Sequence, residues 1–228
     1  EWKGEQNCHV MIVAEQGIGD AIQFLRYVNY FGGNVTFGIQ AGDTLHRLLR
    51  DVVPPQHTVA EYLNWRDYDY FIPLCSLAAV ARCIAPSVYI PRYEGEKLAR
   101  IGFVWKGNPD HGNDSNRSVP VGFFKRFLKY DAIPLQWRDT AFGIKSPVVG
   151  DFKDTAQILS RIDLLISVDT SIVHLAGSMG IPTWCIMPKF DSDWRWGTSG
   201  EKSVWYDSVR IIRNSGDWLT VFDGIEND

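Results

Sequence analysis

The stretch His9-Val10-Met11-Ile12-Val13-Ala14-Glu15-Gln16-Gly17-Ile18-Gly19-Asp20-Ala21-Ile22-Gln23-Phe24 changes its pattern once, and that change sets the fold. Its first six residues are a short apolar run of strand length, and Gly17 and Gly19 then allow a tight backbone turn. Beyond the turn, Phe24, Leu25, Val28 and Phe31 recur at helical spacing. A strand, a glycine turn and a helix in this order open an α/β protein.

The same grammar continues outward. Val35–Ile39 reads as a strand, and Asp43 as the cap of a helix carrying Leu45, Leu48 and Leu49. Tyr70–Leu74 is a further strand, Ser76–Cys83 a short helix, and Ser87–Ile90 a strand closed by Pro91. The charged segment Arg92–Arg100 contains Gly95 and has no apolar period, which marks it as a linker. A second series follows, with strands at Ile101–Trp105, Ile133–Gln136, Leu164–Val168, Thr183–Met187 and Val209–Ile212. Helices are predicted at Val121–Leu128, Thr155–Arg161, Ser171–Met179 and after Asp217. Apolar strands alternating with helices imply parallel sheets covered on both faces, and two such units, 1–93 and 94–228, would leave a cleft between them. No solenoid-period repeat or low-complexity tract interrupts the series.

Composition narrows the function classes. The 228 residues are 45% apolar and 22% charged, which suits a globular chain that needs no disulfide or metal to hold its core. A net charge of −4 argues against a broad nucleic-acid footprint. Charge is uneven, however: from Lys97 to Lys129 seven basic residues face two acidic ones, a surplus of +5 that would suit a small anion. Cys8, Cys75, Cys83 and Cys185 form no C-x-x-C pair and read as reduced core thiols. No apolar run has membrane-spanning length and no secretory leader opens the chain, so the cytoplasm is the expected compartment. The first residue is Glu1 rather than Met, which leaves room for an upstream segment.

Three segments could carry chemistry. At the mouth of the first helix, the edge where ligands of open α/β sheets bind, Asp20 is either a ligand-facing residue or only the helix N-cap, with Gln23 completing a capping box. Ile22 stands where a third glycine would complete G-x-G-x-x-G, so a dinucleotide site is disfavoured. The polar loop Lys106–Ser118 leaves a strand end, and Lys106 and Arg117 offer positive charge for a diphosphate unless they are ordinary solvated residues. In Val168-Asp169-Thr170-Ser171-Ile172-Val173-His174 a buried strand delivers two hydroxyls to a helix start whose free amides favour an anion. The alternative there is a simple cap and a buried, satisfied histidine. Nine tryptophans are present, five of them after residue 180, and Trp194 and Trp196 flank Arg195 as stacking faces or as packing residues. Histidines and carboxylates show no metal-ligand spacing.

Taken in order, Ala14–Phe24, Gly102–Pro109 with Asn116-Arg117-Ser118, Asp151–Ala156, Val168–Ser171 with His174–Gly177, and Asp193-Trp194-Arg195-Trp196 resemble the heptosyltransferase-like family 9 glycosyltransferases. The likeness is to the subgroup found behind tetratricopeptide repeats. It implies a GT-B architecture of two Rossmann-like domains, the first on the acceptor side and the second binding a nucleotide-sugar. It also implies inverting, metal-independent transfer without a cofactor, to an acceptor that is a glycan, a lipid-linked sugar or a protein. By the resemblance Asp20 is the catalytic base, and Gly17, Gly19, Lys106, Arg117, Asp169, Thr170, Ser171 and His174 contact the donor. Trp194 and Arg195 would stack on its sugar or base. A non-catalytic nucleotide-sugar or glycan-binding module of the same fold is the competing expectation.

Overall fold

The structure, a computed structural model, describes residues 1–31, 34–83, 88–137 and 139–227, with the backbone alone at 226 and 227. Its first sheet is built by β1 (Cys8–Val13), α1 (Ile18–Phe24), β2 (Val35–Gln40), α2 (Asp43–Val52), β3 (Thr58–Ala60), β4 (Tyr70–Pro73) and α3 (Leu77–Ala81). The strands pair in parallel in the order β3-β2-β1-β4, so β1 is central. Val10 and Ile12 of β1 are fully buried, as an interior parallel strand requires. The helical run after Gly19 tightens into a 3-10 helix at Leu25–Tyr30. There Arg26 Nε donates to the Gln23 carbonyl at 2.8 Å, competing for the acceptor a continuing α-helix would use.

The second series comprises β5 (Ile101–Val104), α4 (Asp114–Arg117), β6 (Ala132–Pro134), the short strands β7 (Thr140–Ala141) and β8 (Ile144–Lys145), α5 (Phe152–Leu159), β9 (Leu164–Val168), α6 (Ser171–Ser178), β10 (Thr183–Met187), β11 (Val209–Arg213) and α7 (Trp218–Asn227). Five of its strands form a parallel sheet in the order β11-β10-β9-β5-β6, and β7 and β8 pair as an antiparallel hairpin. Parallel sheets alternating with helices are the Rossmann-like pattern the sequence predicts.

Several elements depart from the sequence reading. Val121–Tyr130 is a 3-10 run rather than an α-helix, and its three-residue period puts Phe124 and Phe127 on one buried face. The helix expected from Thr155 begins at Phe152, because Asp151 caps it by accepting from the Asp154 amide at 3.0 Å. Of the expected strand Ser87–Ile90, Ser87 lies outside the described residues. Tyr89 and Ile90 send their amides to the Ser178 carbonyl at 3.0 and 3.1 Å, so they cap the end of α6 instead of joining a sheet. Residues 91–99 carry no regular structure, yet they are held down: the Tyr93 amide donates to Ser160 Oγ at 2.9 Å and the Leu98 amide to the Arg161 carbonyl at 2.8 Å.

Two apolar clusters hold the chain. The larger runs without a break from Ile12, Ile39 and Leu48 around the first sheet to Leu159, Val173 and Met179 beneath the second. The smaller lies on the far face of the second sheet, where Phe103, Phe124, Phe127 and Phe222 pack edge to face and stacked. Among the described residues no helix is long and apolar enough to cross a membrane.

Candidate functional site

Each sheet has one place where neighbouring strands send their connections in opposite directions, and ligands of open α/β sheets bind outside the strand carboxyl ends there. In the first sheet this switch lies between β1 and β4, whose ends are level at Val13 and Pro73. The Glu15–Asp20 turn and Leu74-Cys75 leave from that edge. In the second sheet it lies between β5 and β9, where Val104 is level with Ser167. Lys106 and Asp169 each follow two residues further on, so they leave the carboxyl ends of neighbouring strands. The three segments that the sequence singles out therefore leave from the two switch points.

The two switch points meet. α1 packs against α6, and a Cβ placed on Gly19 would lie 2.9 Å from His174 Cδ2 and 3.5 Å from Ser171 Cα. Gly19 thus lets the first turns of two helices touch, which is a packing duty rather than a demonstrated ligand contact. Gly17 is the N-cap of α1 and Asp20 its third residue: the Asp20 carboxylate accepts from the Gly17 amide at 3.0 Å. The alternative of Asp20 as N-cap with Gln23 as partner is corrected accordingly, and Gln23 is fully buried. The other oxygen of Asp20 is paired with Arg195 Nη2, a contact spanning 175 positions of sequence.

On the second sheet, α6 opens at Thr170 in extended conformation without a side-chain cap; the Val173 amide donates to the Thr170 carbonyl at 3.0 Å, which leaves the Ser171 and Ile172 amides for another acceptor. Thr170, Ser171 and Asp169 are partly exposed at this mouth. Lys106 is exposed, and its ammonium pairs with Asp139 at 2.7 Å. That pairing holds the Asp139 carboxyl below its usual range. Arg117 is mostly buried and bonds Asp114 at 3.0 Å. The pair lies over Gly107, where any Cβ would come within 2.4 Å of both side chains. The polar loop is consequently ordered, and Asn113 and Asn116 tie it to the carbonyls of Asp191 and Phe190 at 2.9 and 2.7 Å.

The surplus of +5 read from Lys97 to Lys129 is reduced on folding. Lys97, Lys106, Arg117 and Arg126 pair with Asp163, Asp139, Asp114 and Asp223, three of which lie outside that window. A count along the chain misses partners that arrive from elsewhere.

His174 is buried. Its ring stacks on Trp196 with centroids 5.2 Å apart, and its Nδ1 is 3.1 Å from Tyr206 Oη. Burial, and then the charge of Arg195, push the imidazole down to about 3, so it is neutral at pH 7. Burial raises the Asp169 carboxyl to about 6, the Trp196 indole partly offsetting this and Asp193 adding to it. The two shifts act oppositely on stability. Between about pH 4 and 6 the unfolded chain binds the His174 proton while the folded chain binds the Asp169 proton, so their contributions nearly cancel. Asp169→Asn removes the second. In that variant stability should fall on acidification from pH 6 to 4 more steeply than in the wild type, by about 1.4 kcal/mol per pH unit. Urea unfolding at pH 4, 5 and 6 measures this, and equal slopes in the two proteins would contradict it.

Arg195 gathers the rest of the site. Its Nη1 bonds both oxygens of Asp193 at 3.1 and 3.0 Å, and its guanidinium lies over the Trp194 ring at 4.7 Å. Trp194 is 66% exposed although Arg195 and the edge-to-face Trp205 lie against it, whereas Trp196 is buried against His174 and belongs to the core. Beside Trp194 an open groove of about 500 Å³ runs between the two halves, lined by Phe24, Cys75, Ala78, Arg82, Arg195 and Trp205 among others. Burial pushes the Cys75 thiol up to about 12, so it is an inert, protonated lining group. Cys8 and Cys185 are buried and Cys83 half-buried, all as free thiols.

The sequence reading overlooked Asp139 and Tyr206, the partners of Lys106 and His174, and gave Asp193, the partner of Arg195, no role of its own. Only Asp193 carried a local signal, standing two residues before the arginine it binds. Among the described residues no group of three or more His, Cys, Asp or Glu is placed to hold a metal ion.

No protein-family model matches the chain. No curated protein matches its sequence. Solved structures do match. The iron-containing dodecameric glycosyltransferase TibC from enterotoxigenic E. coli aligns with TM-score 0.62 and 10% identity over 89% of this chain, which spans 65% of the TibC chain. TibC is also known in complex with ADP-D-beta-D-heptose. A glycosyl transferase of family 9 from Veillonella parvula aligns with TM-score 0.61 and 10% identity over 97% of this chain and 90% of its own. The E. coli heptosyltransferase WaaC with ADP aligns with TM-score 0.60 and 11% identity over 96% of this chain and 98% of its own. The described residues offer no donor set for the iron of TibC. At this level of identity the likeness establishes the fold: the chain has the Rossmann-like sheet architecture of family 9 glycosyltransferases.

Proposed function

We propose that the protein is an inverting sugar transferase of the GT-B kind, taking its donor from a nucleotide-sugar at the switch point of the second sheet. The observation that supports this most is the contact of the α1 and α6 first turns at Gly19, Ser171 and His174. It sets a carboxylate, Asp20, beside an uncapped helix start with a lysine on the neighbouring strand end. In this reading the donor diphosphate lies against the α6 amides and Lys106, with Arg117, Asp169, Thr170 and Ser171 around it. His174 acts behind the site, as a neutral wedge that positions the helix start. The acceptor reaches Asp20 through the groove beside Trp194.

Transfer is then a single displacement. The acceptor hydroxyl oxygen attacks the anomeric carbon from the face opposite the diphosphate, and its proton passes to the Asp20 carboxylate. The anomeric C–O bond breaks and its electron pair leaves on the nucleoside diphosphate, where helix-end amides and lysine stabilise the growing charge. A non-catalytic donor-binding module is the second reading, favoured by the engagement of both Asp20 oxygens with Gly17 and Arg195.

Release of nucleoside diphosphate from a panel of nucleotide-sugars tests the first reading. Turnover should persist in EDTA, and Lys106→Ala should weaken donor binding by about 1.5–3 kcal/mol, the range of a charged hydrogen bond. Activity lost in EDTA and restored by magnesium or manganese would overturn the mechanism. Saturable donor binding without release would favour the binding module.

A further inference from the structure

We infer that Arg195 is an exchangeable counter-ion, holding the Asp20 carboxylate until a diphosphate reaches the first turn of α6 and then turning to the diphosphate and releasing Asp20. The inference rests on the donor reading above and adds a residue that couples donor arrival to the freeing of the base.

Four observations carry it. The guanidinium is shared by two competing carboxylates, Asp20 from the first half of the chain and Asp193 from its own turn. Its Nε is buried and has no acceptor among the described residues, so Arg195 has a donor to spare. The backbone at this point is fixed: the Arg195 amide donates to Asp193 Oδ1 at 2.9 Å, and its carbonyl accepts from Trp205 Nε1 at 3.0 Å. Only the side chain is therefore free to change partners. Finally, the residue stands between the two sites. Gly19, next to Asp20 in the chain, abuts Ser171, and the charge of Arg195 is felt at both Asp169 and His174 on either side of the α6 start.

The chemistry favours the exchange in one direction. A planar guanidinium binds a diphosphate through two parallel hydrogen bonds, whereas Asp20 engages a single nitrogen. The planar guanidinium turns as one body, so leaving Asp20 also loosens its hold on Asp193, and the whole arm moves. Once that arm leaves, the Asp20 carboxylate is open to the acceptor hydroxyl. The base would thus be masked in the empty protein and exposed only when a leaving group is in place.

Two anions that compete for one cation are negatively linked, and linkage is reciprocal. Removing the charge of Asp20 must therefore tighten diphosphate binding, and must do so only while Arg195 is present. The test is calorimetric titration of the full chain with ADP and with inorganic pyrophosphate, after thermal melting has shown each variant folded. Asp20→Asn should tighten both ligands by about fivefold or more. Asp193→Asn, which leaves α1 untouched, should also tighten them. Arg195→Gln should weaken them about tenfold, and in its background Asp20→Asn should have no further effect. Unchanged affinity in both single carboxylate variants would overturn the inference. So would a gain from Asp20→Asn that survives in Arg195→Gln, since that is charge removal without exchange. Failure of the wild type to bind either ligand would instead defeat the donor reading, and this inference with it.

Discussion

Asp20→Asn is expected to lower sugar transfer by about 100-fold or more while the protein still folds and still binds its donor. Asparagine retains an oxygen that can accept the Gly17 amide, so the start of α1 keeps its cap. It has no group that takes a proton at neutral pH. The loss should fall on kcat, with the donor KM no higher than in the wild type, because a proton acceptor is needed only as the acceptor oxygen attacks. Steady-state release of nucleoside diphosphate with saturating donor measures it. Full turnover in this variant would leave Asp20 a helix-start residue and nothing more.

Gly19→Val should be strongly damaging in the seam between the two sheets. Its first added carbon meets His174 Cδ2 at 2.9 Å and the Ser171 backbone at 3.5 Å. Neither gives way readily. The His174 ring is stacked on Trp196 and faces Tyr206 Oη at 3.1 Å, and all three rings are buried. Relief must come from parting α1 and α6, and overpacking of this kind costs about 1–3 kcal/mol. A chain of this size should lose about 2–4 °C in Tm for each kcal/mol. Donor binding should fall with stability, since the α6 start loses its neighbour. Urea unfolding and a melting curve read the first effect and calorimetry the second. An unchanged melt would mean that the two helix starts do not touch in solution.

What the sequence reveals of this site depends on the range of each interaction. The β1 strand, the glycine turn and α1 are written in the seventeen consecutive residues Cys8–Phe24, and alternating periods give both parallel sheets. The mouth of α6 is legible for the same reason, because a strand end, two hydroxyls and a helix start are adjacent in the chain. Contacts made at a distance are not legible in this way. Nothing near Asp20 announces Arg195, nothing near Lys106 announces Asp139, and the basic surplus from Lys97 to Lys129 is reduced by acids such as Asp163 and Asp223.

His174 shows the limit most clearly. On paper it lies one turn into a helix that faces a ligand, and a buried role was the open alternative. The structure decides through residues 196 and 206, whose rings enclose it and keep it neutral. Its closeness to Gly19 then gives it a different duty, since the histidine sets how nearly the two halves approach. Trp194 and Trp196 divide in the same manner: two residues apart in a single turn, one is exposed and the other core.

The most direct test of the donor site is an amide chemical-shift titration of the isotopically labelled protein with ADP. The account expects the largest perturbations at the Ser171 and Ile172 amides, with accompanying shifts at Lys106 and Gly107, and expects Lys106→Ala to weaken the whole set together. Saturable shifts confined to the groove at Cys75, Ala78 and Trp194, with Ser171 and Ile172 unmoved, would place the nucleotide elsewhere and contradict it.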